Sequence, residues 1–116
     1  MFARFFGVTS IAPRDLHELM QREPVVIIDV NVHQSWSAAR VPGARLLDPV
    51  HFDASDLPAD KNARIVFYCS NFLCRKAPTA ARHATTLGFT RAQVMSAGIK
   101  GWIDASLPTE SGALAR

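Results

Sequence analysis

A chain of 116 residues is long enough to close one hydrophobic core and too short for two, so one domain over 1–116 is expected. Hydrophobic residues at 48% and charged residues at 20% place it with globular rather than disordered proteins. A formal charge of +3 on scattered cations, with no Lys/Arg run beyond Arg75-Lys76, argues against a nucleic-acid partner and tilts the chain toward small anions; no apolar stretch approaches membrane-spanning length and the start from Met1 to Phe6 has no leader pattern, so a soluble cytoplasmic protein is expected.

The elements alternate between strand and helix patterns. Residues 2–11 read as an irregular arm with a short strand. Pro13 opens a helix through Arg22, with Leu16, Leu19 and Met20 on one face and Asp15 and Glu18 near its positive end. Val25 to Val30 is an apolar run ending in Asp29-Val30, the pattern of a central parallel strand. His33 to Ala39 reads as a short helix, Val41 to Ala44 as a turn, Arg45 to Leu47 as a short strand and Asp53 to Asn62 as a turn or single helical turn. Residues 64–68 read as a buried strand, 78–87 as a helix closed by Gly88, Ala92 to Met95 as a strand, and Gly98 to Ala105 as a short helix ended by Leu107-Pro108. Such alternation implies an α/β fold, a small, mostly parallel sheet flanked by helices on both faces. In that architecture the ligand crevice lies at the carboxyl ends of the strands, where Asp29 and Cys69 both fall.

The chemistry is concentrated in Arg64-Ile-Val-Phe-Tyr-Cys69-Ser-Asn-Phe-Leu-Cys74-Arg75-Lys76-Ala-Pro78. A strand ends on a cysteine and a cationic turn leads into a helix. Backbone N–H groups at a helix start stabilise anions, and together with nearby cations they lower a thiol pKa from about 8.5 to roughly 3.5–7.5. Cys69 is therefore the candidate nucleophile, against the plain alternative of an inert buried cysteine. Two cysteines in one loop do not make a disulfide framework, and in a reducing compartment both are expected as thiols. Asp29 is expected to be structural, Trp36 and Trp102 to belong to the core, and the four dispersed histidines to hold no metal.

Taken together, Val26-Ile-Ile-Asp29-Val with Trp36 and Val41-Pro-Gly-Ala44, then Val66-Phe-Tyr-Cys69, Ala80-Ala81, Leu87-Gly88-Phe89, and Ala97-Gly98-Ile-Lys-Gly101-Trp102 through Leu107-Pro-Thr-Glu110, resemble the single-domain rhodanese family in order and spacing. The resemblance implies sulfur transfer without a cofactor. Cys69 would become a persulfide, taking sulfur from a small anionic donor such as thiosulfate and passing it to cyanide or a thiol acceptor. It also implies that Ser70, Asn71, Phe72, Leu73, Cys74, Arg75 and Lys76 bind substrate, with the amides of Ser70 to Arg75 around the persulfide and Arg75 and Lys76 attracting the donor.

The chain departs from the family pattern at named places. Asn31 stands where an arginine is usual and Ala39-Arg40 where a Gly-His pair is; the run from Cys69 to Ala80-Ala81 is two residues longer than usual and lacks the loop glycine. The Cys69-to-Arg75 spacing equals the Cys-(x)5-Arg of phosphatases and arsenate reductases of this fold, which leaves an oxyanion-using enzyme as an alternative. Cys74 leaves others: it could resolve a persulfide or sulfenate on Cys69 as an internal disulfide, or the domain could be a non-catalytic, redox-sensing module.

Overall fold

The computed structural model describes residues 2–5 and 7–113; Met1, Phe6 and residues 114–116, which the expected domain 1–116 includes, lie outside the described residues. In chain order the elements are β1 (Phe2–Phe5), β2 (Val8–Ile11), α1 (Pro13–Arg22), β3 (Val26–Asp29), α2 (His33–Ala38), β4 (Arg45–Leu46), a 3₁₀ turn (Ala54–Asp56), β5 (Arg64–Tyr68), α3 (Lys76–Thr86), β6 (Arg91–Val94) and α4 (Gly98–Asp104). They build one six-stranded sheet in the order β1-β2-β6-β5-β3-β4. From β2 to β4 every neighbour is parallel, and β1 pairs antiparallel with β2. The expected irregular arm is thus corrected to a hairpin, because its register of Phe2 with Ile11 through Phe5 with Val8 gives both segments a full ladder.

β5 carries the logic of the core. Its side chains alternate between faces: Ile65, Phe67 and Cys69 join the cluster containing Ala77, Ala80, Ala81 and Ala84 of α3, whereas Val66 and Tyr68 join Leu16 and Leu19 of α1 and Trp102 of α4. A strand buried on both sides must be apolar throughout, which is why the 64–68 run shows no polar alternation after Arg64. The alanines of α3 let that helix lie close to the sheet. α3 begins at Lys76, two residues before the expected start, and Pro78 is tolerated because it falls in the first turn. Gly88, at φ +100°, closes it in the left-handed conformation that other residues enter only at a cost.

Two connections diverge from the centre of the sheet. β3 leads through α2 outward to β4, and β5 leads through α3 in the opposite direction to β6. The carboxyl ends of β3 and β5, paired at Asp29 and Tyr68, are therefore the switch point where an α/β sheet opens a crevice. Cys69 follows Tyr68 there, on the face that α3 covers.

α4 buttresses that crevice from behind. The Cys69 carbonyl accepts the Ile99 N–H at 2.9 Å and the Ser70 carbonyl accepts the Lys100 N–H at 3.0 Å. This approach requires Gly98, at φ +68°: a Cβ there would stand 2.5 Å from the Ser70 carbonyl carbon and 2.6 Å from the Asn71 nitrogen. Gly98→Ala is accordingly expected to destabilise the protein by about 2 kcal/mol, combining the left-handed penalty with overlap against backbone that cannot move aside cheaply. Chemical denaturation measures it; a loss under about 0.5 kcal/mol, the ordinary surface value, would show that the loop yields freely.

Candidate active site

Cys69 is 2% exposed, Cys74 is half-buried, and the two are joined as a disulfide. The expectation of two free thiols is corrected. The physical reason is the loop path: Asn71 turns the chain back by accepting the Cys74 N–H on its carbonyl at 3.1 Å and the Leu73 N–H on its side-chain oxygen at 2.9 Å, which returns Cys74 to Cys69. The same turn means that the amides of Leu73 and Cys74 face Asn71 rather than converging on Cys69 Sγ. In the disulfide form two of the amides expected around Cys69 Sγ are therefore engaged by Asn71.

The loop is anchored at its base. The Ser70 hydroxyl donates to the Asn31 side-chain oxygen at 2.7 Å, and the Asn31 N–H donates to Asp29 Oδ1 at 2.8 Å. Asn31 thus ties the cysteine loop of β5 to the end of β3. The sequence signalled it only as a departure from the family pattern, because the tie spans 39 residues.

Asp29 is fully buried, and burial pushes its carboxyl above the ordinary value against the opposing pull of the Asn31 amide and the Tyr68 hydroxyl. Among the described residues its Oδ2 has no partner of full hydrogen-bond geometry. Burial, followed by the neighbouring Asp29 charge, raises the Tyr68 hydroxyl in turn, so Tyr68 stays protonated; its oxygen accepts the Val41 N–H at 3.1 Å. A carboxyl raised by burial supports the fold while protonated and loses that support as pH rises through its folded value. Asp29→Asn is expected to lack this loss, so the stability difference should move in favour of the variant as pH rises above the ordinary carboxylate range. Paired denaturation curves test the sign, since the carboxylates held low elsewhere are common to both proteins; a difference constant with pH would place the Asp29 titration at its unfolded value.

Of the residues expected to bind substrate, Ser70, Phe72, Leu73, Arg75 and Lys76 are exposed and Asn71 is half-buried. Arg75 is the N-cap of α3 and Lys76 its first residue, so the second cation sits on the helix rather than in the loop. Beside them runs a groove of about 470 Å³ with Val30, Asn31, Leu47, Pro49, Val50 and Lys76 along its walls. Sequence reasoning missed its far wall, because Leu47 to Val50 is remote from Cys69 in the chain and carries no motif.

Arg40 explains a second departure. It is buried, lies over the Trp36 ring at 3.9 Å, donates from Nε to Glu110 Oε1 at 3.2 Å, and from Nη1 to the carbonyls of Trp36 and Gly112 at 3.1 and 2.9 Å. Trp36 and Trp102 are both core, as expected.

Comparisons with known proteins bear on this arrangement. The rhodanese-like domain matches residues 12–105. Thiosulfate sulfurtransferase GlpE of Glaesserella parasuis serovar 5 is 26% identical over 104 residues, covering 90% of this chain and 94% of that protein. The crystal structure of BH2092 from Bacillus halodurans superimposes with a TM-score of 0.80 at 21% identity, over 90% of this chain and 77% of that one. That of a thiosulfate sulfurtransferase from Pseudomonas aeruginosa gives 0.79 at 21% identity, over 91% of this chain and 20% of that one. At such identity the structural likeness is one of fold.

Proposed function

The chain belongs to the rhodanese-like family, and from that footing we propose that it is a sulfurtransferase carrying a sulfane sulfur as a persulfide on Cys69. The observation that carries this reading is the place of Cys69, at the carboxyl end of β5, at the switch point of the sheet and before the start of α3. The reduced form is the reactive one. The Cys69 thiolate attacks the outer sulfur of thiosulfate, the sulfur–sulfur bond breaks, and sulfite leaves with the bonding pair. An acceptor thiolate then takes the outer sulfur and restores the Cys69 thiolate.

Cys74 offers a second exit from the same intermediate. Its thiolate can attack Cys69 Sγ and expel hydrosulfide, leaving the Cys69–Cys74 disulfide. A dithiol must then return both residues to thiols. The oxyanion-using alternative, phosphatase or arsenate reductase, has less support, since two of the amides that would hold a tetrahedral anion are taken up by Asn71.

The test is direct. Protein reduced with a phosphine and freed of it is incubated with thiosulfate; intact mass should show one added sulfur, removed by dithiothreitol. No adduct on reduced Cys74→Ser, in which the persulfide has no internal exit, would overturn the assignment, and hydrolysis of an aryl phosphate above background would favour the alternative.

Arg75 sets a magnitude. Its exposure means that water and salt screen whatever it contributes to donor binding. Arg75→Ala is expected to lower kcat/KM for thiosulfate by about two- to fivefold at low salt and less at high salt, in keeping with an exposed charge worth up to about 1 kcal/mol. A loss above tenfold at both salts would mean that the donor encloses Arg75 when bound.

A further inference from the structure

Among the described residues, the four most exposed large apolar side chains all lie on segments that follow the carboxyl ends of parallel strands, Val32 after β3, Val50 after β4, and Phe72 and Leu73 after β5; they are 61%, 75%, 63% and 77% exposed. Val32 and Val50 line the groove of about 470 Å³. Phe72 and Leu73 stand on the cysteine loop, which Ser70 joins to Asn31 on the groove wall. Lys76 lines the groove, and with Arg75 it borders an adjoining depression that again includes Val50. Exposed apolar surface of this extent with a polar rim marks an interaction site. A small anion uses none of it, and a small molecule filling the groove would leave Phe72 and Leu73 in water. Only a macromolecular surface covers both parts.

The chemistry at the centre of the collar selects the partner. The disulfide closes the loop that carries Phe72 and Leu73, with Cys69 buried and Cys74 half-buried, so an incoming thiolate meets Cys74 Sγ first. The cations on the rim, Arg75 and Lys76, fit an acidic contact face. Asp48 is the acid on the groove wall, and its carboxylate accepts the Val50 N–H at 2.8 Å and stands 3.2 Å from the His51 ring nitrogen.

We infer that the collar of Val32, Val50, Phe72 and Leu73 docks an acidic protein dithiol, which reopens the Cys69–Cys74 disulfide by attack on Cys74 Sγ. This rests on the reading in which Cys69 is the sulfur-bearing thiol. The partner thiolate bonds to Cys74 Sγ while the Cys69–Cys74 bond breaks and Cys69 leaves as the thiolate. The partner's second thiol then displaces Cys74 and closes the partner's own disulfide. Two electrons pass from the partner dithiol to this protein, and Cys69 is left ready for the donor.

The probe is a small Cys-x-x-Cys dithiol protein of net negative charge, compared with dithiothreitol as a reductant that needs no docking. Disulfide reduction is followed by alkylation and intact mass in wild type, in Val32→Ser/Val50→Ser and in Val50→Ser. Both variants should be reduced by dithiothreitol within about twofold of wild type but by the protein dithiol roughly tenfold more slowly, a loss of about 1.4 kcal/mol, and added salt should slow the protein reductant alone. With the probe's second cysteine replaced by serine, a mixed disulfide should be trapped on Cys74. Equal rates of protein reduction in wild type and variants, equal slowing with both reductants, or a mixed disulfide on Cys69 would each overturn the proposal. The thiosulfate adduct on Cys74→Ser, where no internal exit consumes the persulfide, separates the two readings: docking with no adduct removes sulfur transfer but leaves the collar, and an adduct without docking does the reverse.

Discussion

Cys74→Ser is expected to take up sulfur from thiosulfate without prior reduction, whereas wild-type protein in the disulfide form takes up none until a dithiol has opened it, and Cys69→Ser takes up none in any state. The difference follows from the disulfide, which occupies the Cys69 sulfur and so removes the nucleophile. In Cys74→Ser no partner remains in the loop to close on Cys69. The persulfide should also last longer in that variant, because the internal route that expels hydrosulfide is gone. Replacing the thiol of Cys69 by a hydroxyl removes the covalent intermediate itself, and the rate should fall by roughly 10³-fold or more. Intact mass after thiosulfate, with and without reduction, reads all three proteins. Uptake by Cys69→Ser equal to that of Cys74→Ser would exchange the roles of the two cysteines.

Arg40→Ala should produce the largest loss of stability, about 3–4 kcal/mol, with a fall in Tm of roughly 10–15 °C. The guanidinium is buried and binds Glu110, two backbone carbonyls and the face of Trp36, so its removal leaves a void and strands three acceptors. The upper part of the range is tempered by Glu110, whose side chain is 33% exposed and can rehydrate. Arg40→Met should lose less, since it refills most of the volume. Arg40→Lys should recover only part, because a point charge cannot reproduce the planar fork. Thermal and denaturant unfolding of the three variants give the ranking. A loss in Arg40→Ala below about 1 kcal/mol would mean that the segment around Glu110 is held by other contacts. Glu110 also accepts the Gly43 N–H at 3.0 Å, so loosening in this variant should extend to the 41–44 turn.

The course of the sheet was largely legible in the chain because its signals are local. The apolar run of β5, the Pro13 start of α1 and the glycine stop of α3 each act over a few residues, and each lies close to where it was expected. The arm at 2–11 was misread because a hairpin is decided by its partner strand, and β2 gains its parallel neighbour β6 from the far end of the chain. Cys69 was legible as a strand-end cysteine followed by cations. What became of it was not, because the Asn71 turn that brings Cys74 back is a matter of loop conformation rather than composition.

By itself the amino-acid sequence determined the α/β alternation, the family and the candidate nucleophile, since periodicity, punctuation and motif order are properties of neighbours along the chain. Only the tertiary structure decided what surrounds that residue. Gly98 had to meet Ser70 across the sheet, Asn31 had to reach Ser70 from a different strand, Arg40 had to find Glu110, and Val50 had to gather with Val32 along one groove. Each of these contacts joins segments far apart in sequence. Their energies depend on distance in space, which the chain acquires only when the parallel strands lock into register.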